Sequence, residues 1–190
     1  MKGKKVLITV VIILAIIGIF AGFVAGSYNS LVEAQTNVET KQADIQTQLQ
    51  RRADLIPNFV ETVKGYTKYE KETLTAVTQA RAAVSKASNA DELSEASENL
   101  DKAISVWVNA VTEAYPDLKA NTNYAALQDE LAGTENRIAV ARRDYNEAVQ
   151  SYNTMIKKFP KNILAGMFNF DKADFFKADE NSQTVPSVEF

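Results

Sequence analysis

Nineteen consecutive uncharged residues, from Val6 to Val24, constrain this chain more than any other feature. At a rise of about 1.5 Å per residue, an α-helix of this length spans roughly 28 Å, close to the hydrocarbon thickness of a bilayer. The apolar part of a cleaved signal peptide is shorter and ends in a small-residue site, which residues 23–26 match poorly. We therefore expect an uncleaved transmembrane helix over residues 6–26, with cleavage as the alternative.

The charges on the two sides of this run differ in sign. Three of the first five residues are lysines, whereas residues 27–40 carry only Glu33 and Glu39 beside the run. The positive-inside rule then predicts that residues 1–5 lie in the cytoplasm and that residues 28–190 lie outside it. The expected localisation is a single pass through the cell membrane, with an extracytoplasmic main domain.

Two residue types are missing from the sequence, which contains no Cys and no His. The absence of Cys removes disulfides, thiol nucleophiles and thiolate metal sites. The absence of His removes the usual general base, the Ser-His-Asp triad and the Glu-x-x-His pairs of helical di-iron proteins. No glycine-rich phosphate loop is present either. We therefore predict no catalytic residue, no cofactor and no metal.

The overall charge conceals an acidic main domain. Three of the 21 basic side chains and none of the 24 acidic ones lie in residues 1–27, so residues 28–190 carry a net charge of −6. Nucleic-acid binding requires clustered Lys and Arg. We predict that the chain does not bind nucleic acid.

Apolar residues in the main domain recur in alternating steps of three and four, as on one face of a long helix. The clearest series is spaced by seven and consists of Tyr124, Leu131, Ile138, Tyr145, Tyr152 and Phe159. It predicts a helix of about ten turns that ends at Phe159, because the following residue is Pro160.

Two further helical arms precede this one. The second is expected to begin at Asn89, capped together with Glu92, and to stop at Tyr115-Pro116. The first contains Pro57, which either begins a new helix or kinks a continuous one. Residues 85–90 are the expected hairpin between the arms.

These patterns predict an all-α protein in which the N-terminal transmembrane helix is followed by a long antiparallel bundle of three or four helices with coiled-coil-like seams. The bundle domain is expected to cover residues 27–178, and residues 179–190 form a disordered tail. One or two short helices should follow Pro160. The Phe-rich segment from Phe168 to Phe176 either closes the open end of the bundle, which we favour, or exposes an apolar patch to a partner or the bilayer interface.

Charged residues interrupt the apolar seams and form a candidate polar cluster. The spacing places Arg52 on the first seam, Glu70 and Arg81 on its continuation, and Glu135 and Arg142 seven residues apart on the late helix. Charged side chains are rarely buried unless they are paired. Ion pairs that fix helix register are the favoured interpretation, and a binding or catalytic site inside the bundle is the alternative.

The dipeptide Tyr-Asn occurs three times, beginning at Tyr28, Tyr145 and Tyr152. The last two lie one heptad apart, so both tyrosines are expected on the core seam. Their hydroxyl groups then need a hydrogen-bond partner or a route to water.

The sequence resembles the LemA family of bacterial membrane proteins over most of residues 28–176. The resemblance lies in residues 51–58 (RRADLIPN), 60–66 (VETVKGY), 80–81 (AR), 113–121 (EAYPDLKAN) and 134–139 (TENRIA), and in Arg142, the two late Tyr-Asn pairs and Phe159-Pro160. It implies a single-pass N-terminal anchor and a helical bundle without an established activity. Members often carry a His before the glutamate at Glu70, where this chain has Tyr69, so no His-dependent chemistry is available here.

Some relatives in this family are linked to the formation of membrane organelles. Together with the missing catalytic residue types, this favours a non-enzymatic scaffold or interaction module at the bacterial cell envelope, with a protein partner or self-association. The alternatives are a ligand-binding or enzymatic domain that uses the Glu/Arg cluster, and a self-assembling protein that organises membranes.

Overall fold

The computed structural model of the protein describes residues 2–63 and 71–177, and within these residues it contains helices and no strand. The α-helices are α1 Lys2–Val63, α2 Lys71–Lys86, α3 Ala90–Ala114, α4 Thr122–Lys157 and α5 Lys161–Met167, and a 3-10 helix covers Pro116–Ala120. The predicted all-α fold is confirmed. The tail expected over residues 179–190 lies outside the described residues.

Helix α1 joins the apolar N-terminal run to the first bundle helix without a break. It also continues through Pro57, six residues before its end, so a proline that removes one backbone donor neither ends nor divides it here. An 18-residue window near the N-terminus has a mean hydropathy of 3.0, and none of it is buried. Among the described residues, α1 is the one helix long and apolar enough to cross a membrane.

The helix ends follow the predicted signals with two differences. Asn89 Oδ1 accepts the Glu92 N–H at 2.9 Å, as expected, and the Glu92 carboxylate additionally accepts from the N–H and Oγ of Ser88, which the sequence did not predict. Helix α4 ends at Lys157, two residues earlier than predicted, because the residue before a proline avoids helical geometry. Phe159, expected on the buried seam, is consequently 80% exposed.

The chain divides into two compact units, and both α1 and α4 contribute to each of them. The first unit contains Met1–Glu39 and Ala148–Ala173, and the second contains Thr40–Glu147 and Asp174–Phe190.

In the second unit, four helical segments alternate in direction. Arg52 of α1 pairs with Glu135 of α4, and further along α1 Phe59 lies against Tyr124 of α4, so these two helices are antiparallel. Helix α2 returns along α1 and connects through residues 87–89 to α3, against which it packs. The core is formed by the predicted seams, among them Leu49, Ile56, Val84, Leu100, Ile104 and Ile138.

An aromatic group fills one part of this core. The Phe59 ring meets the rings of Trp107 and Tyr124 edge-on, each at a centroid distance of 5.0 Å. The Tyr124 hydroxyl, although buried, is 2.6 Å from Thr112 Oγ1, so its polar end is satisfied. Aromatic pairs in this arrangement contribute about 1 kcal/mol each beyond the area they bury.

In the first unit, α5 packs on α1. Leu31 of α1 and the α5 residues Leu164 and Ala165 are buried together. Val24, Met155, Ile156 and Phe170 surround them. Of the Phe-rich segment, Phe170 packs against this cluster, while Phe168 stays 45% exposed.

Candidate polar site in the second unit

Arg52 is a buried cation at the centre of an ion-pair cluster. Its side chain is only 4% exposed, and Nη2 donates a 2.9 Å hydrogen bond to Glu135 Oε2. Its Nη1 lies 3.3 Å from Asp101 Oδ1 on α3. The heptad position that places Arg52 on the seam thus directs its guanidinium between α3 and α4.

Arg142, one heptad after Glu135, completes the cluster. Its Nη2 lies 3.5 Å from Asp101 Oδ2 and donates to Ser97 Oγ. Its guanidinium also lies over the ring of Phe176, with Cζ 5.0 Å from the centroid, which is a cation–π contact. Asp101 therefore joins both arginines.

The cluster contains two guanidinium groups and two carboxylates, so its charges balance within the second unit. Such an arrangement ties α1, α3 and α4 together at a defined register. Arginine does not lose its proton in proteins, so these cations are unsuited to general acid–base catalysis. In the described part of the chain, no three carboxylates come close enough together to hold a metal ion.

The structure brings together three of the five residues in the predicted cluster, namely Arg52, Glu135 and Arg142. Arg81 lies elsewhere, with Nη2 2.9 Å from Asp54 Oδ1 in a pair that is about half exposed. Glu70 lies outside the described residues.

Three members of the site escaped the sequence analysis: Asp101, Ser97 and Phe176. Asp101 directly follows Leu100 of the α3 seam, and residues that flank a seam commonly supply ion-pair partners. The position of Asp101 beside the seam is therefore a signal of its role in the sequence. Phe176 had no such signal, because it lies in a non-helical segment without periodicity.

A second ion network lies beside the first. Glu130 Oε1 accepts from Arg51 at 2.9 Å and from Arg137 at 2.7 Å, again linking α1 to α4. An open groove of about 750 Å³ runs along α1 next to this network and is lined by Gln50, Arg51 and Asp54 among others. Arg52 does not line it, so the buried cluster does not face this groove.

The two late Tyr-Asn pairs each hold a stretch of the segment that follows α5. In the second unit, the Tyr145 hydroxyl donates to the Asp174 carbonyl at 2.8 Å, and the Asn146 side chain bonds both the N–H and the C=O of Phe176. Burial, helped by the carboxylates of Asp174 and Asp91, raises the pKa of Tyr145 and keeps its hydroxyl protonated.

The first unit repeats this arrangement. The Tyr152 hydroxyl donates to the Asp171 carbonyl at 2.8 Å, and Asn153 accepts from Ala173 N at 2.9 Å and donates to Ala173 O at 2.8 Å. Burial and the nearby Asp171 raise the pKa of Tyr152 as well. The hydroxyl partners that the sequence required are thus backbone carbonyls. We call each such set a Tyr-Asn clamp.

The same clusters and clamps lie within the region that matches a known family. The profile described as the LemA family matches residues 41–190. The chain belongs to the LemA family. It is also 31% identical over 167 residues to the protein LemA of Metamycoplasma hominis, covering 86% of this chain and 75% of that protein.

More distant relatives are named as magnetosome proteins. MamQ 2 of Paramagnetospirillum magneticum is 24% identical over 201 residues, which cover 93% of this LemA-family chain and 74% of the relative. MamQ of Magnetospirillum gryphiswaldense is 22% identical over 78% of the chain and 64% of the relative. With its exposed apolar helix and these relatives, the chain is a membrane-associated helical protein.

Proposed function

We propose that the protein is a membrane-anchored scaffold, which binds a protein partner through its helical bundle and catalyses no reaction. Membership of the LemA family and the similarity to magnetosome proteins support this role. The bundle can act as a scaffold in two ways, by binding a different protein or by self-association.

The internal pairing of the polar cluster supports this proposal most directly. Arg52 and Arg142 direct their charges to Glu135 and Asp101 of neighbouring helices, and the groove on the surface lies elsewhere. We infer that the cluster stabilises the arrangement of α1, α3 and α4. The surface of the bundle is then left to bind a partner.

We further propose that residues 6–26 of α1 cross the membrane once, with residues 1–5 in the cytoplasm and the bundle domain of residues 27–178 outside. The three lysines before the run and the two glutamates after it support this direction. Alkaline phosphatase fused at Phe190 should be active, because this enzyme needs an extracytoplasmic location. A second fusion at Phe190 carries a fluorescent protein that fluoresces only in the cytoplasm. Fluorescence from this fusion would contradict the proposed direction.

In-cell crosslinking tests the scaffold proposal. A photoreactive amino acid is placed at Val106 or Val140, which are 58% and 46% exposed on α3 and α4, and in a control at the buried Ile104. We expect adducts with a defined protein, or with a second copy of the chain, from the exposed positions only. If no exposed position gives an adduct above the Ile104 background, the bundle does not act as a scaffold.

A further inference from the structure

Helix α5 has apolar side chains that are buried and others that are exposed. Leu164 and Ala165 are buried against α1, while Ile163 and Met167 are 55% and 66% exposed. Successive residues are about 100° apart on a helix, so the exposed pair and the buried pair point in directions about 130° apart. Lys161 and Asn162 are polar, so α5 has a broad apolar face that α1 covers only in part.

Two aromatic residues that flank the helix are exposed as well. Phe159 precedes α5 and Phe168 follows it, and both side chains are open to the surroundings. We call Phe159, Ile163, Met167 and Phe168 the α5 apolar surface. Single exposed apolar residues are common on protein surfaces. Four of them within ten residues indicate a surface that is covered by a membrane or by another molecule.

The position of α5 along α1 indicates what covers this surface. Val24, which lies near the end of the predicted transmembrane segment of residues 6–26, packs in the same cluster as Leu164, and so does Leu31. Residues 24–31 of a helix rise by about 10 Å, and the headgroup layer beyond the hydrocarbon is roughly 5–7 Å thick. Helix α5 therefore packs on the stretch of α1 that emerges from the bilayer.

Specific contacts hold α5 at this level. Lys161 Nζ donates a 2.7 Å hydrogen bond to Ser30 Oγ on α1. The Tyr28 ring meets Phe168 edge-on at a centroid distance of 4.9 Å and Phe170 at 5.7 Å. Tyrosine is itself favoured at the membrane–water interface.

The charge around α5 fits anionic headgroups. Residues 148–173 contain four lysines and one acid, Asp171, in a chain whose net charge is −3. Lys157 and Lys158, just before the α5 apolar surface, are both exposed. Basic residues beside an apolar face are typical of helices that lie in a membrane interface.

We propose that α5 is an interfacial element and that the α5 apolar surface is inserted into the headgroup region of the bilayer crossed by α1. This inference rests on the proposed membrane anchoring and adds a second contact with the lipid. The bilayer is favoured over a second copy of the chain because the surface adjoins the end of the exposed apolar run, so the lipid around Val24 is in reach of α5.

The chain contains no Cys, so a fluorophore can be attached at one introduced position. The full-length variants Ile163→Cys and Met167→Cys are labelled with an environment-sensitive dye and reconstituted in phosphatidylcholine and phosphatidylglycerol vesicles. Ile16→Cys, in the run, is the lipid reference, and Val106→Cys, exposed on α3, is the water reference. Quenching by doxyl-labelled lipid and by aqueous iodide is then measured.

We expect doxyl lipid to quench the dye at both α5 positions strongly, and iodide to quench it several-fold less than at Val106. If iodide quenches the dye at the α5 positions as strongly as at Val106, while the dye at Ile16 is protected, the α5 proposal is wrong and the membrane anchoring still holds. Protection from iodide without quenching by doxyl lipid would also overturn it, because a protein would then cover the surface. If Ile16 itself is not quenched by doxyl lipid, the membrane anchoring fails and the α5 proposal with it.

Discussion

Arg52 and Glu135 are 83 residues apart in the sequence, yet their side chains meet at 2.9 Å and join α1 to α4. The two ends of this ion pair differ greatly in environment, since Arg52 is 4% exposed and Glu135 is 62% exposed. The buried charge of Arg52 depends on its protein partners, whereas water can solvate the exposed charge of Glu135.

Removal of the Arg52 charge should therefore destabilise the protein far more than removal of the Glu135 charge. Arg52→Met leaves Asp101 with one arginine fewer in a partly buried site and should lower the free energy of unfolding by about 3 kcal/mol. Glu135→Gln should lower it less, by about 1 kcal/mol, because the amide oxygen of Gln can still accept from Arg52 and Asp101 stays beside the guanidinium. Urea unfolding in detergent measures both.

Arg51→Met is the matched control for this comparison, because Arg51 is the neighbouring residue and makes an exposed ion pair with Glu130. Its effect should resemble that of Glu135→Gln. Equal losses for Arg51→Met and Arg52→Met would show that the buried cluster does not hold the helices together.

The Tyr-Asn clamps should keep the segment after α5 in place. Asn153→Ala removes two hydrogen bonds to Ala173 and leaves its backbone groups with fewer partners, at a cost of about 1–3 kcal/mol. We expect faster proteolysis of residues 171–177 in this variant. Asn29→Ala, at the exposed asparagine of the first Tyr-Asn pair, is the control and should leave the cleavage rate unchanged.

The clamps also predict a loss of stability at alkaline pH. The folded-state pKa values of Tyr145 and Tyr152 are raised, so their contribution is complete below the ordinary tyrosine pKa of about 10 and is lost as the pH rises through the folded values. A phenolate cannot donate to the carbonyls of Asp174 and Asp171. The urea midpoint should therefore fall above pH 10.

The double variant Tyr145→Phe and Tyr152→Phe separates this effect from the titration of lysines. It should be less stable at neutral pH and lose less of its remaining stability above pH 10 than the natural chain. Identical alkaline slopes for the two proteins would exclude the tyrosines as the cause.

At the start of α3, the Glu92 carboxylate predicts the opposite dependence. Hydrogen bonds from the backbone and side chain of Ser88 lower the pKa of Glu92. Its stabilising contribution is thus present above the ordinary carboxyl pKa of about 4.3 and is lost as the pH falls through the lowered value. Glu92→Gln should reduce this acid-induced loss, as measured by urea midpoints over the acidic range.

The repeating spacing of apolar residues predicted the helices, their order and most of the core. The spacing does not determine which of two adjacent residues is buried, because a step of three leads to one of them and a step of four leads to the other. On α2, the series from Val77 to Val84 runs through the buried Ala80, so Arg81 lies beside the seam and pairs with Asp54. On α4 the same spacing places Thr134 on the seam, and Thr134 is buried while the adjacent Glu135 is exposed.

Partners from non-helical segments could not be predicted from the sequence in the same way. The heptad placed Tyr145 and Tyr152 in the core and required partners for their hydroxyls, but the carbonyls that accept them belong to a stretch without periodicity. Every residue has a backbone carbonyl, so the residue types do not show which carbonyl accepts the hydrogen bond. The repeated Tyr-Asn dipeptide nevertheless indicates that an extended segment lies along α4. Seven residues of helix and three residues of extended chain both advance by about 10 Å, so two dipeptides one heptad apart can bind positions three residues apart in such a segment.

The most direct test of the account compares in-cell photocrosslinking from Val106 and Val140 in the natural chain and in Glu135→Gln. If the protein is a membrane-anchored scaffold whose polar cluster serves the fold, the adducts should be the same in identity and similar in yield. Loss of every adduct in a Glu135→Gln chain that is folded and present at normal levels would contradict this account, because the cluster itself would then form the binding site.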